Sequence, residues 1–217
     1  MKLDLDLQVW VALIEAVGIV IGGIATPIVV YILGRRAYPK KIDTFSERGH
    51  DVSRMMDRAT KSIYIISQIG DVFLKEHQLD LEKYLNSNKD IVVRYLILSK
   101  KKFMEMQNYT GNHCDLKARK ETINRLKKLC KKYPGRFLFS KFDQIITTSY
   151  IAVDIDNVGD DGKWGYTSKI QCMPYQYSLN TTRSFIVYLS PKIGKEKFGD
   201  TVDCIMDMWR AGRPVKI

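Results

Sequence analysis

The sequence is poor in the residues that build metal centres and disulfide frameworks, with three His and four Cys among 217 residues. The cysteines, Cys114, Cys130, Cys172 and Cys204, are scattered without paired spacing, which is not the pattern of a small disulfide-stapled domain. Only His113 and Cys114 are adjacent, and adjacent side chains seldom share one tetrahedral metal ion. The sequence therefore predicts no metal site, no cofactor and reduced thiols in a reducing compartment.

Charge is almost absent between residues 7 and 33, where Glu15 is the one charged side chain. A helix of this length can cross roughly 30 Å of hydrocarbon. A cleaved signal peptide is the rival interpretation. However, the preceding residues are acidic, the apolar run is too long, and Arg35 and Arg36 follow it directly. We therefore expect residues 1–36 to form an N-terminal tail and a single transmembrane helix.

Basic residues flank this apolar run unevenly. Lys2 stands alone before it, whereas Arg35, Arg36, Lys40 and Lys41 follow it. Because cytoplasmic flanks of membrane helices carry the excess of Lys and Arg, the N-terminus should lie outside and the C-terminal domain in the cytoplasm. The sequence thus predicts a single-pass protein of the cell inner membrane.

Small residues recur every four positions within the same run, at Gly18, Gly22 and Thr26. This spacing aligns them on one helix face and permits close approach by a second helix, so it predicts a parallel homodimer. Glu15 shares that face and is either a functional carboxylate within the membrane or one that reaches towards the outer headgroups.

Positive charge dominates the chain, with 35 Lys and Arg against 24 Asp and Glu and a formal net charge of +11. Residues 1–34 contain a single Lys, so the excess lies beyond them. Such an excess attracts phosphates of a nucleotide, a nucleic acid or an anionic lipid. The alternative is that the charge serves only solubility and attraction to a nearby membrane.

The pattern after residue 36 predicts a connector and juxtamembrane helix over residues 37–56 and a soluble domain over residues 57–217. Alternating and helical periodicities define its elements. The predicted strands are 62–67, 91–98, 136–142, 148–155, 163–171 and 183–190; the predicted helices are 71–86, 116–133 and 197–211, with a polar loop over 99–115. This order indicates an α/β (α+β) fold in which helices cover one mixed sheet.

Several of these segments together resemble one half of a phospholipase D-like protein. They are the strands SIYIIS and VRYLIL, the strand ending in VDID, and the terminal helix FGDTVDCIMDMWRAG. The resemblance implies a site built on a His-x-Lys-x-x-x-x-Asp motif, in which the His attacks phosphorus and the Lys neutralises phosphate oxygens. It also implies that a second copy completes the site.

That motif falls on the segment TTSYIAVD and is degenerate there. Thr147 stands in the His position, Ser149 in the Lys position and Asp154 in the Asp position. Thr147 has no neighbouring base, and Ser149 cannot supply positive charge to a phosphoryl transition state. The resemblance therefore implies a non-catalytic member, and Asp154 also fits an ordinary turn residue. His50 and Asp57 share the motif spacing, but their segment reads as helix.

The function predicted from the sequence is a membrane-tethered cytoplasmic binding or effector module, an inactive phospholipase D-like domain that senses a phosphate-bearing ligand, as in bacterial defence. One alternative is a diverged phosphodiesterase, nuclease or phospholipase. The other is a passive membrane-anchored adaptor. His77 is expected on the solvated surface of a helix, and His113 in a loop, so neither is expected to be catalytic.

Overall fold

The computed structural model describes residues 40–42, 52–110, 116–159, 162–174, 186–192 and 195–216, with side chains described from residue 52 onward except at 108–110. The chain divides into two compact units, Met1–Tyr38 and Pro39–Ile217, and every described residue belongs to the second. Within the described residues, no helix combines the length and apolar character that a membrane crossing requires. The predicted membrane helix, with Glu15, Gly18, Gly22 and Thr26, lies outside these residues.

One mixed sheet of eight strands organises the described residues. Its strands, in order across the sheet, are β1 (Lys40–Ile42), β7 (Ile186–Leu189), β6 (Lys169–Pro174), β5 (Thr148–Val153), β2 (Ser62–Ser67), β3 (Val92–Leu98), β4 (Phe137–Phe142) and β8 (Arg213–Pro214). The pairings of β2 with β3 and of β3 with β4 are parallel, and all other pairings of neighbouring strands are antiparallel. The α+β mixed sheet predicted from the sequence is therefore present.

Helices connect the parallel strands and cover both faces of the sheet. They are α1 (Asp71–Ser87), α2 (Lys100–Thr110), α3 (Leu116–Lys132) and α4 (Lys195–Ala211). α1 joins β2 to β3, and α2 and α3 together join β3 to β4. A parallel pair cannot be closed by a tight hairpin, so these crossovers are what allow the three strands to lie side by side.

Alternation along the strands divides the core into two layers. In β3, Val93, Tyr95 and Ile97 face one layer, whereas Leu96 and Leu98 face the other. The first layer is filled by α1, α3 and helical residues 52–57, and the second by α2 and α4. The core therefore includes residues 52–56, which the sequence analysis assigned to a connector and juxtamembrane helix.

Gly70, immediately before α1, has a positive backbone angle φ of 81°. A Cβ atom there would lie 2.4 Å from the Tyr95 hydroxyl oxygen, and that hydroxyl donates a 2.9 Å hydrogen bond to the Gly70 carbonyl. We expect Gly70→Ala to lower the free energy of unfolding by about 2 to 3 kcal/mol, because it adds a clash to the left-handed backbone penalty.

The matched control for this prediction is Gly135→Ala. Gly135 has a similar φ of 74°, but nothing lies within 4 Å of the added Cβ. Only the backbone penalty applies, so the loss should be about 1 kcal/mol. Urea denaturation would measure both variants. Equal losses would show that the Tyr95 contact contributes nothing.

Several elements differ from the sequence prediction, which lacked the short strands β1 and β8. Residues 100–110, predicted as part of a loop, form α2, which is held by burial of Phe103 and Met106. The strand predicted over 163–171 begins later, at Lys169, because a turn precedes it and Trp164 forms an isolated bridge with Val158.

Candidate functional site

The most basic element is α3, in which eight of 17 residues are Lys or Arg and one is acidic. Leu126, Leu129 and Cys130 are buried against the sheet, three to four residues apart on one side of the helix. The opposite side is solvent-exposed. We call its five exposed cations the α3 basic face: Lys117, Lys120, Arg125, Lys128 and Lys131.

Most of the α3 basic face has no neutralising partner. Among the described residues, no carboxylate forms an ion pair with Lys120, Arg125, Lys128 or Lys131. Lys132, beside them, does pair with Glu82 of α1, and Glu82 holds the pKa of Lys132 above its usual range. The helix therefore presents uncompensated positive charge to solvent.

Arg119 lies on the buried side of the same helix, with 5% of its surface exposed. Its Nη2 donates a 2.7 Å hydrogen bond to the carbonyl of Leu98, at the end of β3, and its guanidinium stacks 5.4 Å from the Phe103 ring of α2. Burial lowers the pKa of Arg119. This side chain ties α3 to the end of β3 and the start of α2.

Two further exposed lysines lie at the start of α2. Ser99 caps this helix, its Oγ accepting a 3.3 Å hydrogen bond from the Lys102 backbone N–H. Lys100 and Lys101 follow the cap and are exposed. The N-terminus of a helix carries a partial positive charge of its own. The charges of these lysines add to it, so the electrostatic potential at this edge of the sheet is positive.

Asp154, from the degenerate motif, is fully buried and bound to backbone at the start of β2. Its carboxylate accepts hydrogen bonds of 2.8 to 3.1 Å from the backbone N–H groups of Thr60, Lys61 and Ser62. The Thr60 hydroxyl donates another at 3.0 Å. Burial by itself would raise the pKa of Asp154, but these hydrogen bonds outweigh it and lower that pKa.

The other two motif positions lie away from Asp154. Thr147 is exposed just before β5, and Asp154 follows the same strand, so about 23 Å of extended chain separates them. Ser149 is half-buried, and its hydroxyl donates a 3.5 Å hydrogen bond to the Met173 carbonyl. The structure therefore does not bring the three residues together at one centre.

A polar cluster that the sequence analysis did not single out surrounds Asp156. Its carboxylate accepts hydrogen bonds from the hydroxyls of Ser62 and Tyr64 and pairs with Arg94 at 3.2 Å. Burial, and then the charge of Asp156, raise the pKa of Tyr64. No sequence spacing links these residues, because adjacent strands bring them together.

His77 is the one histidine within the described part of the chain. His77 was expected on the surface but is buried, its ring 5.2 Å from that of Phe73. The helix was predicted correctly, but this side of α1 is buried in the core and not solvent-exposed. His50, His113 and Cys114 lie outside the described residues. No cluster of three or more potential metal ligands occurs in the part of the chain that the structure describes.

Comparison with known proteins identifies a fold neighbour but no family. No protein-family model matches the chain, and no curated protein matches it. Among solved structures, the chain is similar to TrmBL2, an archaeal chromatin protein whose structure "shows a novel mode of DNA binding". This chain shares its fold. The match has a TM-score of 0.52 at 9% identity and covers 98% of this chain and 69% of TrmBL2.

This neighbour contradicts the function predicted from the sequence. The interpretation as a membrane-tethered sensor of the cell inner membrane is wrong, because the solved structure that shares this fold is that of a DNA-binding chromatin protein. The error has a physical origin. The apolar run at residues 7–33 suggested a membrane, but the net positive charge of the chain attracts polyanions in general and does not by itself indicate a membrane surface.

Proposed function

We propose that this protein binds DNA and that the α3 basic face is the principal contact. The observation that carries the proposal is a set of four exposed cations on α3 that have no carboxylate partner among the described residues: Lys120, Arg125, Lys128 and Lys131. The fold likeness to TrmBL2, a protein described as binding DNA, supports it. The net charge of +11 supplies the long-range attraction to a polyanion.

The dimensions of the face suit a nucleic-acid backbone. From Lys117 to Lys131 the helix rises about 21 Å, a distance over which one DNA strand presents about six phosphates along the duplex axis. Long Lys and Arg side chains can each reach one of these phosphates. Contacts to phosphates position a protein on DNA without reading bases, so we expect binding with little sequence preference.

We expect the affinity for duplex DNA to fall steeply with salt. If four cations each neutralise one phosphate, log K against log salt should have a slope of about −3.6, and affinity should fall about 150-fold between 50 and 200 mM salt. Fluorescence anisotropy of the full chain with a labelled mixed-sequence duplex would measure this. Absence of binding at 50 mM salt, or binding that salt leaves unchanged, would contradict the proposed function.

Two narrower interpretations stay predictions. The phospholipase D-like resemblance is carried by the order of elements and by Asp154, and pairing with a second copy by Gly18, Gly22 and Thr26. Neither is required for DNA binding through α3. The carboxylate of Asp154 is engaged by backbone donors, an arrangement that suits a structural role better than support of a catalytic base.

A further inference from the structure

Arg119 of α3 is bound to the carbonyl of Leu98, which ends β3, and Lys141 lies near the end of the neighbouring strand β4, opposite Ile97. We propose that Arg119, Lys127 and Lys141 form a preformed site for one phosphate group, which we assign to the backbone of bound DNA. The assignment rests on the proposed function and deepens it, because it adds a partly buried contact to the exposed face. The site itself is argued from burial, hydrogen bonding and charge.

Arg119 supplies the most constrained part of the site. Its Nη2 is held by the Leu98 carbonyl and its plane by the Phe103 ring. Its Nε atom is buried and has no hydrogen-bond partner among the described residues. A buried donor without an acceptor destabilises the folded protein, and more so when it is charged. An anion that reached this atom would remove that cost.

Lys141 brings a second cation to the same place. It lies on β4 opposite Ile97, and it is half-buried on the side of the sheet that α3 covers. Burial, followed by the positive charges of Arg119 and Lys127, lowers the pKa of Lys141. Like charges repel one another, so an anion that bound between these side chains would stabilise the cluster.

Arg213, a basic residue next to this cluster, has a carboxylate partner that the three cations of the cluster lack. Arg213 on β8 lies opposite Lys141, but its Nε pairs with Asp143 at 3.0 Å. Within the described residues, neither Arg119 nor Lys127 nor Lys141 has such a carboxylate. The three charges are therefore available to an external anion.

The chemistry of the three side chains favours a phosphate group. A guanidinium and two ammonium groups can donate to several oxygens of one tetrahedral anion. Lys127 also connects the site to the α3 basic face, because Lys131 is four residues away and helix neighbours lie three or four apart. A DNA strand that follows this face would bring a phosphate to the cluster.

The test uses two measurements on the full chain. In the first, inorganic phosphate is titrated at constant ionic strength while the NMR signal of Arg119 Nε–H is followed. We expect a saturable shift that Lys141→Gln abolishes and that Lys89→Gln, at an exposed position outside α3, leaves unchanged. In the second, Lys141→Gln should weaken duplex DNA binding about fivefold to tenfold and reduce the salt slope by about 1.

The outcomes separate the site from the proposed function. No phosphate response at Arg119, or a response that persists in Lys141→Gln, overturns the site even if wild-type protein binds DNA. A normal response with an unchanged DNA salt slope in Lys141→Gln overturns the assignment to DNA. Wild-type protein that binds no DNA but retains the response overturns the proposed function and supports a site for a free phosphorylated ligand.

Discussion

Replacing Lys120, Arg125, Lys128 and Lys131 with Gln is expected to weaken duplex DNA binding by about 10² to 10³-fold near 0.1 M salt, because each lost phosphate contact removes about 0.9 from the salt slope. The magnitude of the slope of log K against log salt should fall by about 3.6, which leaves the contributions of Lys117 and of the site formed by Arg119, Lys127 and Lys141. Anisotropy titrations at several salt concentrations would measure both quantities. All four side chains are exposed, so the fold should be unaffected.

The matched control removes the same charge from other surfaces. Lys89, Lys192, Lys195 and Lys216 are exposed and lie outside α3. Their combined change to Gln lowers the net charge equally and should reduce the affinity severalfold at most, with little change in slope. Equal losses in the two quadruple variants would show that DNA responds to net charge alone, and α3 would then not be the interface.

Asp154→Asn is expected to lower the free energy of unfolding by about 3 to 5 kcal/mol, the largest stability effect that we anticipate. The amide keeps the size of the carboxylate, but its NH₂ group cannot accept from the backbone N–H groups of Thr60, Lys61 and Ser62. Asp154 has a φ of 52°, a conformation that Asn also tolerates, so backbone strain does not confound the change. Urea denaturation would measure the loss.

The matched control is Asp156→Asn. Asp156 also accepts hydrogen bonds near β2, but its side chain is 27% exposed, and water can replace part of what is lost. We expect a loss of about 1 to 2 kcal/mol. A loss at Asp154 no larger than at Asp156 would contradict the structural role. Removal of a phosphodiesterase activity by Asp154→Asn, in protein that stays folded, would instead assign that residue to a catalytic site.

The same carboxylate gives a pH dependence of stability. The folded-state pKa of Asp154 is lowered, so its contribution is fully present above the unfolded-state pKa of about 3.9 and is lost as pH falls through the lower folded value. The wild-type protein should therefore lose stability on acidification through this window. The difference in stability between wild type and Asp154→Asn should shrink over the same range.

Much of the fold was predictable from the sequence, because the spacing of apolar residues indicates which side of a strand or helix is buried. The strands SIYIIS and FLFSKF and the helices α1, α3 and α4 were predicted close to their observed bounds. α2 was not, because three consecutive lysines begin it and, among its described side chains, only two apolar ones are buried, Phe103 and Met106. Its apolar signal is weak, and packing on the sheet supplies what the local pattern lacks.

For the candidate site, the sequence by itself determined the basic outer face of α3, since one helix places residues three and four apart on the same side. It also determined the overall positive charge. Tertiary structure alone decided that Arg119 and Lys141, 22 positions apart, both lie near the ends of the neighbouring strands β3 and β4. It likewise decided that Asp154 faces the backbone of Thr60 to Ser62 and not a substrate. Such contacts arise from the pairing of strands and the packing of helices on the sheet, and the local spacing of residues in the sequence does not indicate them.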